Sequence, residues 1–163
     1  MTSPDKTGSD KQQKPSAKAQ AMAARLMAVQ ALYQNQQNQK PVGTLVKEYI
    51  EYRAGMEIDG EAMVEPDGVL MKKIVDGVHQ RHEELNEIIA GHTKKSEDGK
   101  SRETEPLLKA ILLAGTYELL AHQDIDFPVI INDYINVTHA FYDSMEAGLV
   151  NGVLDPIAKL LRA

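Results

Sequence analysis

Lys14, Lys18 and Arg25 stand close together near the start of the chain, and Gln20, Gln30 and Gln34 are interleaved with them or follow them. A cation neutralises phosphate, and a primary amide offers a paired donor and acceptor to a base edge, so these types suit contact with nucleic acid. The cations carry most of such affinity. The same side chains also suit an exposed, solvated helix face. Tyr33 and Tyr117 have rings that stack on a base or hydroxyls that bond a partner, but a tyrosine on an apolar stripe also serves as half-buried core with its hydroxyl at the rim. Glu118 follows Tyr117 on a polar strip where an exposed carboxylate can meet a partner. His79, His82 and Glu83 are close in sequence but have no second ligand cluster, which favours a solvated helix face over a metal site. There is no cysteine, glycine-rich phosphate loop, GxSxG elbow or paired-carboxylate motif. The expectation is a protein that binds rather than catalyses, with no cofactor and no metal.

Charge is divided unevenly. The chain of 163 residues carries a net −6, yet its first 25 residues hold five cations against two aspartates, +3, leaving −9 for the remainder. A basic arm on an acidic body suits nucleic-acid contact, and a short lysine-bearing terminus also suits a mobile tail. Residues 1–15 are almost wholly polar and cannot repay the entropy of ordering, so a disordered basic tail is expected there. No apolar run reaches the length of a membrane span and the start lacks the apolar run of a signal peptide, which points to a cytoplasmic protein.

Whatever surface these residues share must be built from helices. Ser16 is a plausible N-cap for a helix to about Gln37, with Met22, Leu26, Val29 and Tyr33 as its stripe. A second helix is expected from Thr44 to Gly55, carrying Leu45, Val46, Tyr49 and Ile50. After a loop with Gly60, Pro66 opens a longer one to Gly91, facing inward through Leu70, Ile74, Val78, Leu85 and Ile88. The run from Pro128 is β-branched enough for a strand, but Ile131, Ile135, Thr138 and Tyr142 keep helical spacing. Asp143 to Glu146 has the form of a capping box for a last helix bearing Leu149, Val150, Val153 and Leu154, with a kink or break expected at Pro156.

Pro106 to Ala121 is apolar on nearly every side and therefore needs neighbours all round. The expected architecture is all-α: two small helical bundles, 16–91 and 104–163, packed around this central buried helix within one domain over 16–163. Asn132 and Asn151, amides in aliphatic runs, are expected to tie helices together, and Gly148 with Gly152 to allow close helix approach.

The stretches AVQALYQ (28–34), LLAGTYELL (112–120) and VNGVLD (150–155), with DIDFPVIIN (124–132) between the last two, resemble the NusB family of bacterial transcription antitermination factors in order and separation. An extended loop in the front half is similar to that of alphaproteobacterial members. The resemblance implies a NusB-like fold without enzymatic activity that binds boxA RNA of ribosomal RNA leader transcripts jointly with the ribosomal protein NusE. The complex lets RNA polymerase, in its elongation complex, read through terminators. It implies RNA contact for Lys14, Lys18, Gln20, Arg25, Gln30, Gln34 and Asn151, and partner contact for Tyr33, Tyr117 and Glu118, in a monomer or weak homodimer.

The chain departs from that family at several cationic positions. Ala21, Met22 and Ala23 stand where an arginine cluster is usual, Leu113 where an arginine is common, and Ala121 and His122 where basic residues follow. Leu149 replaces a phenylalanine that is a candidate for base stacking. These losses lower the phosphate-dependent part of affinity and leave open an RNA-independent helical interaction module on the same scaffold. A third alternative is the RNA-binding front domain of some ribosomal RNA cytosine methyltransferases.

Overall fold

The computed structural model describes residues 16–38, 47, 57–58, 61–62, 64–93 and 104–163. The expected tail over 1–15 with Lys14, the helix from Thr44 to Gly55 except for Lys47, and most of the polar linker before the central helix lie outside them.

Helix α1 spans Ala17–Asn38. Ser16 starts it as expected, its hydroxyl accepting from the Ala19 amide at 3.1 Å. The inward face differs from the expected stripe: Ala24, Met27, Ala28, Ala31 and Leu32 are buried with Val29, whereas Met22 and Leu26 are half-buried and Tyr33 is exposed. The seam is built from Met27, Val29 and Leu32 interleaved with three alanines.

Two-residue strands β1 (Glu57–Ile58) and β2 (Glu61–Ala62) pair antiparallel, Glu57 opposite Ala62. This pairing is too small to alter the all-helical architecture, and Gly60 of the expected loop lies outside the described residues.

The single helix expected from Pro66 to Gly91 is two, α2 (Gly68–Gln80) and α3 (His82–Ala90), divided at Arg81. Pro66 is buried ahead of the first turn, and Asp67 is the cap, accepting from the Leu70 amide at 3.1 Å. Arg81 spans the division: its amide closes α2 on the Gly77 carbonyl, its carbonyl accepts from Leu85, and its guanidinium pairs with Glu84. Met71, Ile74, Val75, Val78, Leu85 and Ile89 form the buried side.

Helix α4 (Pro106–Ala121) is central, with proline in its first turn. It touches each of the other described helices, as a helix apolar all round must. Gly115 matters here, because a Cβ on it would stand 2.9 Å from the Leu154 side chain of the last helix.

Helix α5 (Phe127–His139) resolves the β-branched run as helix. Helix α6 (Ser144–Leu161) packs on α4 and α5 and buries Ala147, Val150, Val153, Leu154, Ile157 and Ala158. Its start agrees with the expected position, but the Asp143 side chain makes no capping bond. Its interior also differs, since the helix runs through Pro156 without a break. The missing bond would use the carbonyl of Gly152, which is exposed and can be solvated. Beyond Pro156, burial of Ile157 and Ala158 continues the helix. Arg162 then anchors its end, donating to the carbonyls of Leu119 (2.9 Å), Ile125 (2.8 Å) and His122 (3.0 Å).

One apolar cluster runs through α1 to α6.

Candidate nucleic-acid interface

The first helix carries most of the candidate residues, and the fold separates them. Lys18 is exposed in the first turn of α1. Gln20, Gln30 and Gln34 are half-buried, and the Gln20 carbonyl accepts from the Asp67 amide at 3.1 Å, seating the start of α1 on that of α2. Tyr33 is 36% exposed and available to a partner.

Arg25 is not at the surface. It is 3% exposed, and its guanidinium donates from Nε to Glu118 Oε2 at 2.7 Å, from Nη2 to Glu118 Oε1 at 2.9 Å and from Nη1 to Asp133 Oδ2 at 2.7 Å. The expectation that Arg25 contacts phosphate is therefore corrected. A guanidinium committed to two buried carboxylates has no free face to offer, and withdrawing it would leave both charges unpaired in the core.

Glu118 is corrected with it. Instead of projecting from a wet strip of α4 it is fully buried, and also accepts from the Tyr134 hydroxyl at 2.6 Å and meets His122 Nδ1 at 2.9 Å. Burial acts to raise its carboxyl, but hydrogen bonds from His122 and Arg25, the Arg25 charge and the Tyr134 hydroxyl outweigh it and hold the group below its ordinary range. Burial, then the charge of Glu118, pushes the Tyr134 phenol well up. The cluster joins α1 (Arg25), α4 (Glu118) with His122 just beyond its end, and α5 (Asp133, Tyr134).

Tyr117 is half-buried. Its ring covers Gly77 of α2 and meets the His122 ring edge-on, centroids 5.4 Å apart at 77°. The residue thus works first as a joint between α2 and α4.

On α6, Asn151 is exposed, so its amide is free for a ligand rather than tying helices together; Asn132 on α5 is exposed as well. Gly148 and Gly152 are not a close-packing pair, since a Cβ on either would meet nothing within 4 Å. They share the solvent side of α6 with Met145, Leu149 and Leu160, while Val150, Val153, Leu154 and Ile157 take the core side. His79, His82 and Glu83 are exposed, and His82 Nδ1 lies 3.0 Å from the Asn86 amide. Among the described residues no three His, Asp or Glu side chains gather to hold a metal ion, and no helix is long and apolar enough to cross a membrane.

Sequence reasoning missed Asp133, Tyr134, His122 and Arg162. The only local signal was the four-residue spacing of Glu118 and His122, which puts them on one helix face.

A known family matches most of the chain: the model described as NusB family covers residues 22–159. The chain belongs to the NusB family. It is 40% identical over 141 residues to transcription antitermination protein NusB of Sphingopyxis alaskensis, covering 86% of this chain and 93% of that one. It is 39% identical over 147 residues to the protein of the same name from Novosphingobium aromaticivorans, covering 90% and 97%. Its fold is similar to a NusB chain in a crystal structure of the antitermination factors NusB and NusE with double-stranded RNA, at TM-score 0.69 and 25% identity, covering 85% of this chain and 96% of that one. The NusB fold expected from the motifs is the fold observed.

Proposed function

We propose that this chain acts in the cytoplasm as a transcription antitermination factor rather than an enzyme. It binds boxA RNA of ribosomal RNA leaders together with NusE, as a monomer or weak homodimer, so that the RNA polymerase elongation complex reads through terminators. Its NusB-family sequence, matched over nearly the whole fold, carries this function. The NusB and NusE complex with RNA that shares its fold supports the choice of partners.

With Arg25 withdrawn into the core, phosphate contact falls to Lys18 and to Lys14, with Gln20, Gln30, Gln34 and Asn151 offering amides. Tyr33 and the rim of Tyr117 serve the protein partner; Glu118 acts from beneath them, not by touching it. So few cations on a chain of net −6 make RNA affinity weak without NusE.

Fluorescence anisotropy of boxA RNA against a scrambled control, with and without NusE at two salt concentrations, tests this function. Preference for boxA that grows with NusE is expected, and no preference under either condition overturns it. A second possibility, an RNA-independent interaction module, is favoured by the burial of Arg25 and by the exposed Met145, Leu149 and Leu160 of α6. It predicts NusE capture that survives ribonuclease and the substitution Lys18→Ala.

A further inference from the structure

We propose that Arg25 is a positioning residue for RNA binding: its fork to Glu118 and Asp133 fixes the rotation of α1, and thereby the direction in which Lys18 leaves the protein. The inference rests on the function proposed above.

Helix α1 is seated at its start by the Gln20 carbonyl, which accepts from the Asp67 amide, and Met27, Val29 and Leu32 are buried along it. Between Ala19 and Gln36 only Tyr33 is exposed, and the buried positions include Ala24, Ala28 and Ala31, whose small side chains interlock weakly. Apolar burial is non-directional, so it separates neighbouring rotations of α1 less sharply than a polar contact of fixed geometry does. A planar guanidinium is directional. Its three bonds of 2.7, 2.7 and 2.9 Å reach carboxylates on two different helices, α4 and α5, and are satisfied together in one orientation of α1.

Lys18 precedes Arg25 by seven residues, about two turns and roughly 10 Å along the axis, and so shares its face of the helix. That face is buried at Arg25 and open at Lys18. Any rotation the fork forbids would swing Lys18 by the same angle. One buried cation thus aims an exposed one.

The triple variant Arg25→Met, Glu118→Gln, Asp133→Asn removes the ionic fork without leaving a charge buried. Its RNA affinity in the presence of NusE is measured across salt concentrations well below its unfolding temperature, beside Lys18→Ala and the unchanged protein. If the competent rotation falls to a tenth of the population, Kd rises about tenfold. Because Arg25 touches no phosphate, the slope of log affinity on log salt stays that of the unchanged protein, whereas Lys18→Ala lowers it by about 0.7. Arg25→Lys, which keeps the cation but not the fork, gives a smaller loss, again with an unchanged slope; should the triple variant fail to fold, this variant carries the test by the same two readouts. A slope lowered in the Arg25 variants would show direct phosphate contact, and an unchanged Kd would show that α1 needs no fork; either overturns the proposal. Absence of boxA preference in the unchanged protein would instead overturn the function on which it rests.

Discussion

The ring of Tyr117 occupies the space a side chain on Gly77 would need: a Cβ there would lie 2.1 Å from Cζ and 2.2 Å from Cε1. Glycine within a helix ordinarily costs about 0.5–1 kcal/mol relative to alanine. Here the overlap reverses the sign, since the ring must leave α2 and give up its contact with His122. Gly77→Ala is expected to destabilise the protein by about 1–3 kcal/mol in urea unfolding. Adding Tyr117→Leu should recover part of that loss. Equal losses in the single and double variants would mean that the ring does not set the requirement.

Glu118 belongs to the same helix and answers to a different force. Removing one partner of a buried pair leaves the other uncompensated, so Glu118→Ala should cost about 3–5 kcal/mol. Its acid limit follows from the depressed carboxyl. A group whose pKa is lower folded than unfolded contributes fully above the unfolded value, ordinarily 4.5, and loses the contribution as pH falls through the folded value. Thermal unfolding should therefore show stability declining below pH 4.5, less steeply in the triple variant that lacks the fork. An equal decline in both would place the acid sensitivity elsewhere.

Tyr134 sets a limit at the other end. Its phenol is raised by burial and by Glu118, so the folded chain holds that proton above the ordinary 10.0 where the unfolded chain releases it. Stability attributable to it is complete below pH 10 and falls as pH rises from there towards the folded value. Tyr134→Phe should cost about 1 kcal/mol at neutral pH for the lost bond to Glu118 and flatten the alkaline decline. A decline as steep in Tyr134→Phe would exclude this phenol as its source.

Much of the fold was legible because helices announce themselves by period and by end residues. Ser16, Pro106 and Pro128 lie at helix starts, and a segment apolar all round, Leu107 to Leu120, had to be central. The site was far less legible. Arg25 and Glu118 are 93 residues apart, and nothing near either in sequence marks a charge that has a partner. Residue type also misled on α6, where Asn151, Gly148 and Gly152 suggested packing. There Val150, Val153, Leu154 and Ile157 claim the core side, which turns Asn151, Gly148 and Gly152 outward. Arg81 shows a third limit: apolar spacing continues across it from Val78 to Leu85, so the division of α2 from α3 leaves no trace in the periodicity.

Leu149 offers a gain rather than a loss. It stands on α6 where the resemblance to NusB proteins implies a phenylalanine able to stack on a base, and it is 47% exposed. The flanking Gly148 and Gly152 leave open space about it, so a larger ring fits without repacking the core. A stacked base contributes about 1–3 kcal/mol, or roughly 5- to 150-fold in affinity. Leu149→Phe should therefore tighten boxA binding within that range in the anisotropy titration while leaving the salt slope unchanged, because no charge is altered. Leu160→Phe is the control: also on α6 and exposed, it lies about three turns further along. Equal tightening by both variants would indicate a non-specific apolar effect. No tightening by Leu149→Phe would mean that bases do not reach this face of α6.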